Sequence, residues 1–275
     1  MIASTIEQKR NLFWTLHQSG CFVLPNPWDV GSAQSLASMG FKALATTSSG
    51  HAWSCGKPDG TMQRDAVLQH MREMVEATDL PINADFEDGY GRSPDEVFEN
   101  ALLAVATGVA GFSIEDSTGD PQSPVRDIDD AVERLRAARE AIDTSGSNTL
   151  LVARAENFFL GRPDLGDTIK RLRAYTEAGA DCLYAPGIKT RDEIVAIVSA
   201  VAPKPVNVLI GWNSDLTLEE LSDMGVRRIS VGGALARAAW NGFHHVALAL
   251  KGGRFDAFPR SPTGKDLDEL FRERG

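Results

Sequence analysis

The chain of 275 residues has few cysteines, little positive charge and no long apolar run. Its three cysteines, Cys21, Cys55 and Cys182, are widely spaced with no CxxC pair, so neither a disulfide framework nor a structural zinc site is readable. A reducing compartment, the cytoplasm, is the expectation. Lys and Arg number 28 against 38 Asp and Glu, a net charge of −10. That balance argues against a nucleic-acid or anionic-membrane partner, because phosphate binding relies on basic surface. The segment from Met1 to Gln18 is polar and mixed in charge, and no stretch approaches the roughly 18 apolar residues of a membrane span. Several catalytic signatures are missing too. No GxGxxG follows the first β-rich run, and neither GxSxG nor HExxH occurs. The run Cys182-Leu183-Tyr184-Ala185-Pro186 has no lysine, which disfavours Schiff-base chemistry.

What is present is a hydrophobic share of 43%, enough for a core, arranged as short β-rich runs alternating with longer stretches of helical period. The runs are Phe22 to Trp28, Ala43 to Ser48, Pro81 to Phe86, Gly111 to Glu115, Leu150 to Ala155, Cys182 to Pro186, Val206 to Ile210 and Arg228 to Gly232. Between them lie amphipathic stretches such as Asp65 to Ala77, Pro94 to Thr107 and Ile128 to Ile142. Met39-Gly40-Phe41, Thr107-Gly108-Val109, Ala178-Gly179-Ala180 and Met224-Gly225-Val226 each join a helical stretch to a strand, the glycine ending the helix. Eight such units predict an α/β fold, a (β/α)8 TIM barrel in a single domain over residues 1–275, with an open doubly wound sheet as the alternative. A helix from Ile6 to Ser19 precedes the barrel, Trp240 to Leu250 is the eighth helix, and 252–275 is a polar tail ending in a short charged helix.

In such a barrel the chemistry belongs at the strand C-termini, and these are acidic. The third strand ends Asp85-Phe86-Glu87-Asp88-Gly89-Tyr90-Gly91, with residues 85 and 87 on one face. Glu115 ends the fourth, and Asp59 lies in the loop after the second. Carboxylates meeting at one mouth repel unless a cation sits among them, and hard oxygen donors suit Mg²⁺ or Mn²⁺ better than zinc. The alternative for Asp85 and Glu87 is helix capping or surface charge. Arg154, at the end of an apolar run, is placed to clamp a carboxylate or to pair with Glu156. Thr47-Ser48-Ser49-Gly50-His51 is a small-residue turn whose N–H groups could face an oxyanion. His51 is a candidate acid or base, or a solvent-facing loop histidine. His244 and His245 are adjacent on the last helix and cannot share one metal.

Taken together, these residues resemble the isocitrate lyase and phosphoenolpyruvate mutase superfamily. The matching pieces run in order from Asn26-Pro27-Trp28-Asp29 through Thr46 to Gly50 with Asp59, the Asp85 to Gly91 segment, Ile114-Glu115-Asp116 and Ala153 to Glu156, to Ser230-Val231-Gly232-Gly233. The resemblance implies Mg²⁺, held partly through water, by Asp59, Asp85, Glu87 and Glu115. It implies a small 2-oxo or 2-hydroxy acid with Arg154 on its carboxylate, and Ser49, Gly50 and His51 near the enolate oxygen. Cleavage of a C–C or P–C bond through a stabilised enolate follows from it, as does a homo-oligomer, tetramer or dimer, that swaps its eighth helix. The chain departs from the family in the loop after the fourth strand. Lyases there carry Lys-Lys-Cys-Gly-His and mutases Lys-Thr-Asn-Ser; here Ser117 to Arg126 holds neither Lys nor Cys. A lyase, decarboxylase or hydrolase using another acid, such as His51, Tyr90 or water, remains open, as does a metabolite-binding barrel without catalysis.

Overall fold

The computed structural model describes residues 4–258 and 261–272. Eight parallel strands form one sheet: β1 (Phe22–Leu24), β2 (Leu44–Ala45), β3 (Ile82–Asp85), β4 (Gly111–Glu115), β5 (Leu150–Arg154), β6 (Cys182–Tyr184), β7 (Val206–Leu209) and β8 (Arg228–Ser230). Neighbours pair in the order β1-β8-β7-β6-β5-β4-β3-β2. The seam between β1 and β2 is bridged by Ala45 N–H donating to Pro25 O at 3.0 Å. Asn26 pins the same seam. Its Nδ2 donates to Thr46 O, and its Oδ1 accepts from the N–H groups of Val231 and Gly232, each at 2.9 Å. The result is the TIM barrel that the alternation predicts.

The helices are α1 (Ile6–Gln18), α2 (Val30–Ser38), α3 (Ser48–Ser54), α4 (Arg64–Glu76), α5 (Pro94–Ala106), α6 (Ile128–Thr144), α7 (Leu165–Glu177), α8 (Arg191–Val201), α9 (Leu218–Asp223), α10 (Ala234–Lys251) and α11 (Gly264–Leu270). Their starts are written locally. Thr5, Asp29, Thr190 and Thr217 each close a capping box, satisfying N–H groups that the first turn leaves without partners. Two cores result. One lies between the sheet and its surrounding helices, where Met71, Phe86, Phe112, Leu135 and Ile197 are buried. The other fills the lower barrel, where Phe13 of α1 packs with Phe22, Leu24, Leu150 and Val152. Thus α1 plugs the bottom and leaves the strand C-termini open.

Two expectations change here. The turn Thr47-Ser48-Ser49-Gly50-His51 is the start of a helix, α3, with Thr47 as its cap. The eighth helix begins at Ala234, six residues before the expected Trp240, because the turn after β8 leads straight into it. That helix buries Ala236 and Ala249, while Trp240, Phe243 and Leu248 stand 40%, 61% and 67% exposed. Residues 259–260 and 273–275 of the expected tail lie outside the described residues.

Candidate active site

A cavity of about 400 Å³ descends from the C-terminal rim into the barrel. A second lobe of about 350 Å³ adjoins it and shares Ser48, Asp59, Arg154 and Phe159. Asp85 lines the first lobe, Glu87, Glu115 and Glu156 line the second, and Arg154 stands between them.

Arg154 organises the rim. Its Nη1 donates to Asp85 Oδ1 at 2.6 Å, its Nη2 lies 3.0 Å from Glu115 Oε2, and its Nε donates to Glu156 Oε1 at 2.8 Å. These contacts follow from register. Glu115 pairs with Arg154 across β4 and β5, and Arg154 with Tyr184 across β5 and β6, which brings the guanidinium over the Tyr184 ring at 5.2 Å. Burial pulls the guanidinium pKa down, but Glu115, Glu156 and Asp85 outweigh it and hold the group well above its ordinary value.

The acids show the reverse. Burial pushes the Glu87 carboxyl up to about 7, with Asp85 and Glu115 adding repulsion, and pushes Glu156 up to about 8. Asp59 is raised by burial and by Asp85. Four rim carboxylates and Glu156 therefore face one guanidinium, and the negative charge is in surplus. Hydrogen bonds aim each acid. Ser48 N–H donates to Asp85 Oδ2 at 3.1 Å, Ser117 Oγ to Glu115 Oε1 at 2.6 Å, and Tyr90 Oη to Glu87 Oε1 at 2.5 Å.

The backbone is strained at the same place. Glu87 and Tyr90 adopt φ of 46° and 55°, a left-handed conformation that costs a side-chain-bearing residue on the order of 1 kcal/mol. It is held by Glu115 N–H on Glu87 O at 2.9 Å and by Tyr90 N–H on Asp88 Oδ1 at 3.0 Å. The Glu87 side chain lines the same lobe as Asp59 and Glu115.

The donor set fits a hard divalent cation: clustered carboxylate oxygens, excess negative charge, and acids whose pKa values are raised by burial and by one another. Among the described residues, no three Asp, Glu, His or Cys side chains are arranged to hold a metal ion by themselves. Magnesium suits such a site, because it retains several waters and takes only one or two carboxylates directly.

Of the expected substrate-side residues, Ser49 and Arg154 line the cavity, while Gly50 and His51 do not. Gly50 is buried at the base of α3. A Cβ there would lie 2.6 Å from Thr47 Cγ2 and 2.9 Å from Trp28 Cβ, so this glycine serves packing, and its N–H is directed at Thr47 Oγ1. His51 turns outward and stacks on His70 of α4 with ring centroids 3.8 Å apart. Burial lowers both imidazole pKa values, His70 to about 3, and His51 stands behind the rim rather than at it. Tyr90 likewise reaches the site only through Glu87. Sequence reading missed Trp53, Phe159 and Trp212, which wall the mouth, and Asn83, Asn207 and Arg228, which form its polar floor. Period-two alternation could have flagged Asn83 and Asn207 as inward-facing.

The loop after β4 is compact. Ser117 and Val125 form an antiparallel bridge, and Thr118 N–H donates to Pro124 O at 2.9 Å. Arg126 then anchors it to Asp88 at 2.8 Å.

Comparison with known proteins finds the same fold. The model of the phosphoenolpyruvate phosphomutase family matches residues 13–251. A solved structure from Burkholderia cenocepacia, described as a candidate lyase/mutase, is 46% identical with a TM-score of 0.95, covering 98% of each chain. Oxaloacetate acetylhydrolase with bound oxalate is 26% identical with a TM-score of 0.87, covering 97% of this chain and 94% of that one. An oxaloacetate decarboxylase from Bradyrhizobium diazoefficiens is 30% identical over 222 residues, 78% of this chain and 74% of its own.

Proposed function

The chain belongs to the phosphoenolpyruvate phosphomutase family, and from that premise we propose that it is a divalent-metal-dependent enzyme that cleaves a C–C bond in a small 2-oxo or 2-hydroxy acid. The single observation that carries this reading is Arg154 held by Asp85, Glu115 and Glu156 inside a cavity at the barrel mouth. Relatives named for oxaloacetate decarboxylation and hydrolysis support the choice of bond.

Asp59, Asp85, Glu87 and Glu115 would hold Mg²⁺ or Mn²⁺, in part through water, and the bound cation supplies positive charge against negative charge developing on the substrate's 2-oxo oxygen. The rest falls to the chain. Nη1 and Nη2 of Arg154 each carry a second N–H beyond those directed at Asp85 and Glu115, and these are the groups offered to a substrate carboxylate, with Tyr184 beneath the guanidinium. Ser49 brings a hydroxyl to the cavity wall, 3.0 Å from Thr47 Oγ1. Trp53, Trp212 and Phe159 form an apolar wall above it. Tyr90 keeps a proton on its phenol, because burial and then Glu87 raise its pKa, and it restrains Glu87 as a positioning residue.

The loop from Ser117 to Arg126 offers no lysine or cysteine as a proton donor. That favours a reaction whose carbanion is protonated by water over isocitrate-type cleavage, and it is also the observation behind a second reading, a metabolite-binding barrel without turnover. P–C cleavage is the third, and lacks the mutase loop. The exposed apolar face of α10 suits a contact with a second copy of the chain, in a dimer or tetramer. Purified protein with Mg²⁺ should release pyruvate, CO₂ or oxalate from one member of a panel of C3 to C7 2-oxo and 2-hydroxy acids including phosphonopyruvate. Phosphate release would select the P–C reading, and Mg²⁺-dependent binding with no turnover would select the binding protein.

A further inference from the structure

Arg228 opens β8 inside the barrel and lines the bottom of the same cavity whose rim holds Arg154. It is 2% exposed. A guanidinium cannot shed its charge, so burying one calls for an anion. The other arginines buried to this degree have one: Arg134 reaches Asp130 at 3.2 Å, and Arg171 reaches Asp116 at 3.1 Å and Asp167 at 2.6 Å. Among the described residues Arg228 has none. Its Nε donates to Asn207 Oδ1 at 3.0 Å and its Nη1 to Asn83 Oδ1 at 3.3 Å, with His17 Nε2 3.4 Å away. All three acceptors are neutral. His17 Nδ1 lies 2.7 Å from Phe13 O, the arrangement of an uncharged imidazole whose Nε2 accepts. Nη2 has no acceptor among the described residues.

The surroundings are built to hold that guanidinium in place. Asn207 Nδ2 donates to Ser230 Oγ at 2.9 Å and Asn83 Nδ2 to Ala84 O at 3.2 Å, which turns both amide oxygens toward Arg228. Phe13 and His17 of α1 close the space beneath. The open side of the guanidinium faces the cavity, and the wall between it and the rim carries the neutral polar groups of Ser113 and Ser230.

We propose that Arg228 forms a second anion subsite at the barrel floor, which takes the far carboxylate of a dicarboxylic substrate whose other end lies at Arg154. The inference rests on the proposed function for its rim half; the floor half stands on the unpaired buried guanidinium. It makes Arg228 a specificity residue. A carboxylate can accept from the N–H groups of Nη2 at the open end of the guanidinium fork, whereas a monoacid leaves the charge without a partner.

The test compares C4 to C6 2-oxo diacids with the matching 2-oxo monoacids, and with oxalate, by calorimetry in Mg²⁺. At least one diacid should bind about tenfold or more tighter than its monoacid, the size of one charge-assisted hydrogen bond. In Arg228→Met that preference should vanish while oxalate, which the rim is proposed to hold, binds as before. Arg228→Lys, which keeps the charge but not the fork, should retain part of the preference. A preference that survives in Arg228→Met, or wild-type protein that shows none, would overturn the inference. Failure of oxalate to bind wild-type protein would instead remove the rim reading, and an Arg228-dependent preference for diacids would then stand alone. Should both variants fail to fold, a wild-type crystal grown with the preferred diacid decides: a carboxylate on Arg228 supports the subsite, and a floor holding only water overturns it.

Discussion

The cavity has two arginines, one at each end, and their surroundings are opposite. At the rim, Arg154 is met by three carboxylates within 3.0 Å, with Asp59 and Glu87 nearby. At the floor, Arg228 meets two amide oxygens and an uncharged imidazole. Counting charge at each end indicates what is missing. The rim has more anion than cation, which suits a divalent metal; the floor has more cation than anion, which suits a carboxylate. A ligand with one end chelating and the other anionic would complete both.

The largest effect should come from cutting the rim. Arg154→Met leaves Glu115 and Glu156 buried without their partner, and removing one member of a buried pair costs about 3–5 kcal/mol. Urea unfolding in EDTA should show that loss, and turnover should fall by at least about 100-fold, the range for removing a preorganised charged donor. Arg228→Met, which removes a charge that has no carboxylate partner but leaves the buried amide oxygens of Asn83 and Asn207 without their donor, should cost less, about 1–3 kcal/mol. Equal destabilisation by the two variants would erase the contrast.

Metal comes next. Mg²⁺ at about 100 times its Kd should add roughly 2.7 kcal/mol to wild-type stability, with much less in Glu115→Gln. A Tm that ignores Mg²⁺ in the wild type would mean that the surplus of acid at the rim is answered by protons alone.

The pH dependence of stability separates the floor from the outside of the barrel. Burial, then Arg228, depresses His17 to about 3, and burial, then His51, does the same to His70. The unfolded chain takes up those protons near pH 6.5 and the folded one does not. The contribution of these two histidines is therefore full above about pH 7 and is lost below about 6.5, by roughly 1.4 kcal/mol per pH unit for each, while the raised carboxyls of Glu87 and Glu156 act in the opposite sense as pH rises. In Arg228→Met the pKa of His17, followed by NMR, should rise while that of His70 stays. The smallest effect is at His51. His51→Ala should change kcat/KM by less than about tenfold, because a true general acid or base contributes about 10²–10⁴-fold.

The eight strands were readable from the sequence because their signals are local: β-rich runs, and at four of the helix ends a glycine that leads into the next strand. All eight lie within the expected spans, shortened where the chain leaves the sheet for the rim. The rim acids and Arg154 were readable for the same reason, since a strand end fixes which face residues 85, 115 and 154 present. Gly50 and His51 were misplaced because Thr47 caps a helix there, and only the packing of α3 on Trp28 and His70 turns them away. Arg228 was hidden for a further reason. As the first residue of the run Arg228 to Gly232 it carries no local sign of facing inward, and its burial depends on α1 closing the barrel 211 residues earlier in the chain.

The most direct test is calorimetric titration of oxalate into wild-type protein and Glu115→Gln, each with Mg²⁺ and with EDTA. The rim as described predicts tight binding to wild-type protein in Mg²⁺, little in EDTA, and at least about a tenfold loss in the variant, the cost of weakening one charged ligand. Oxalate that binds equally well in all four titrations would contradict it.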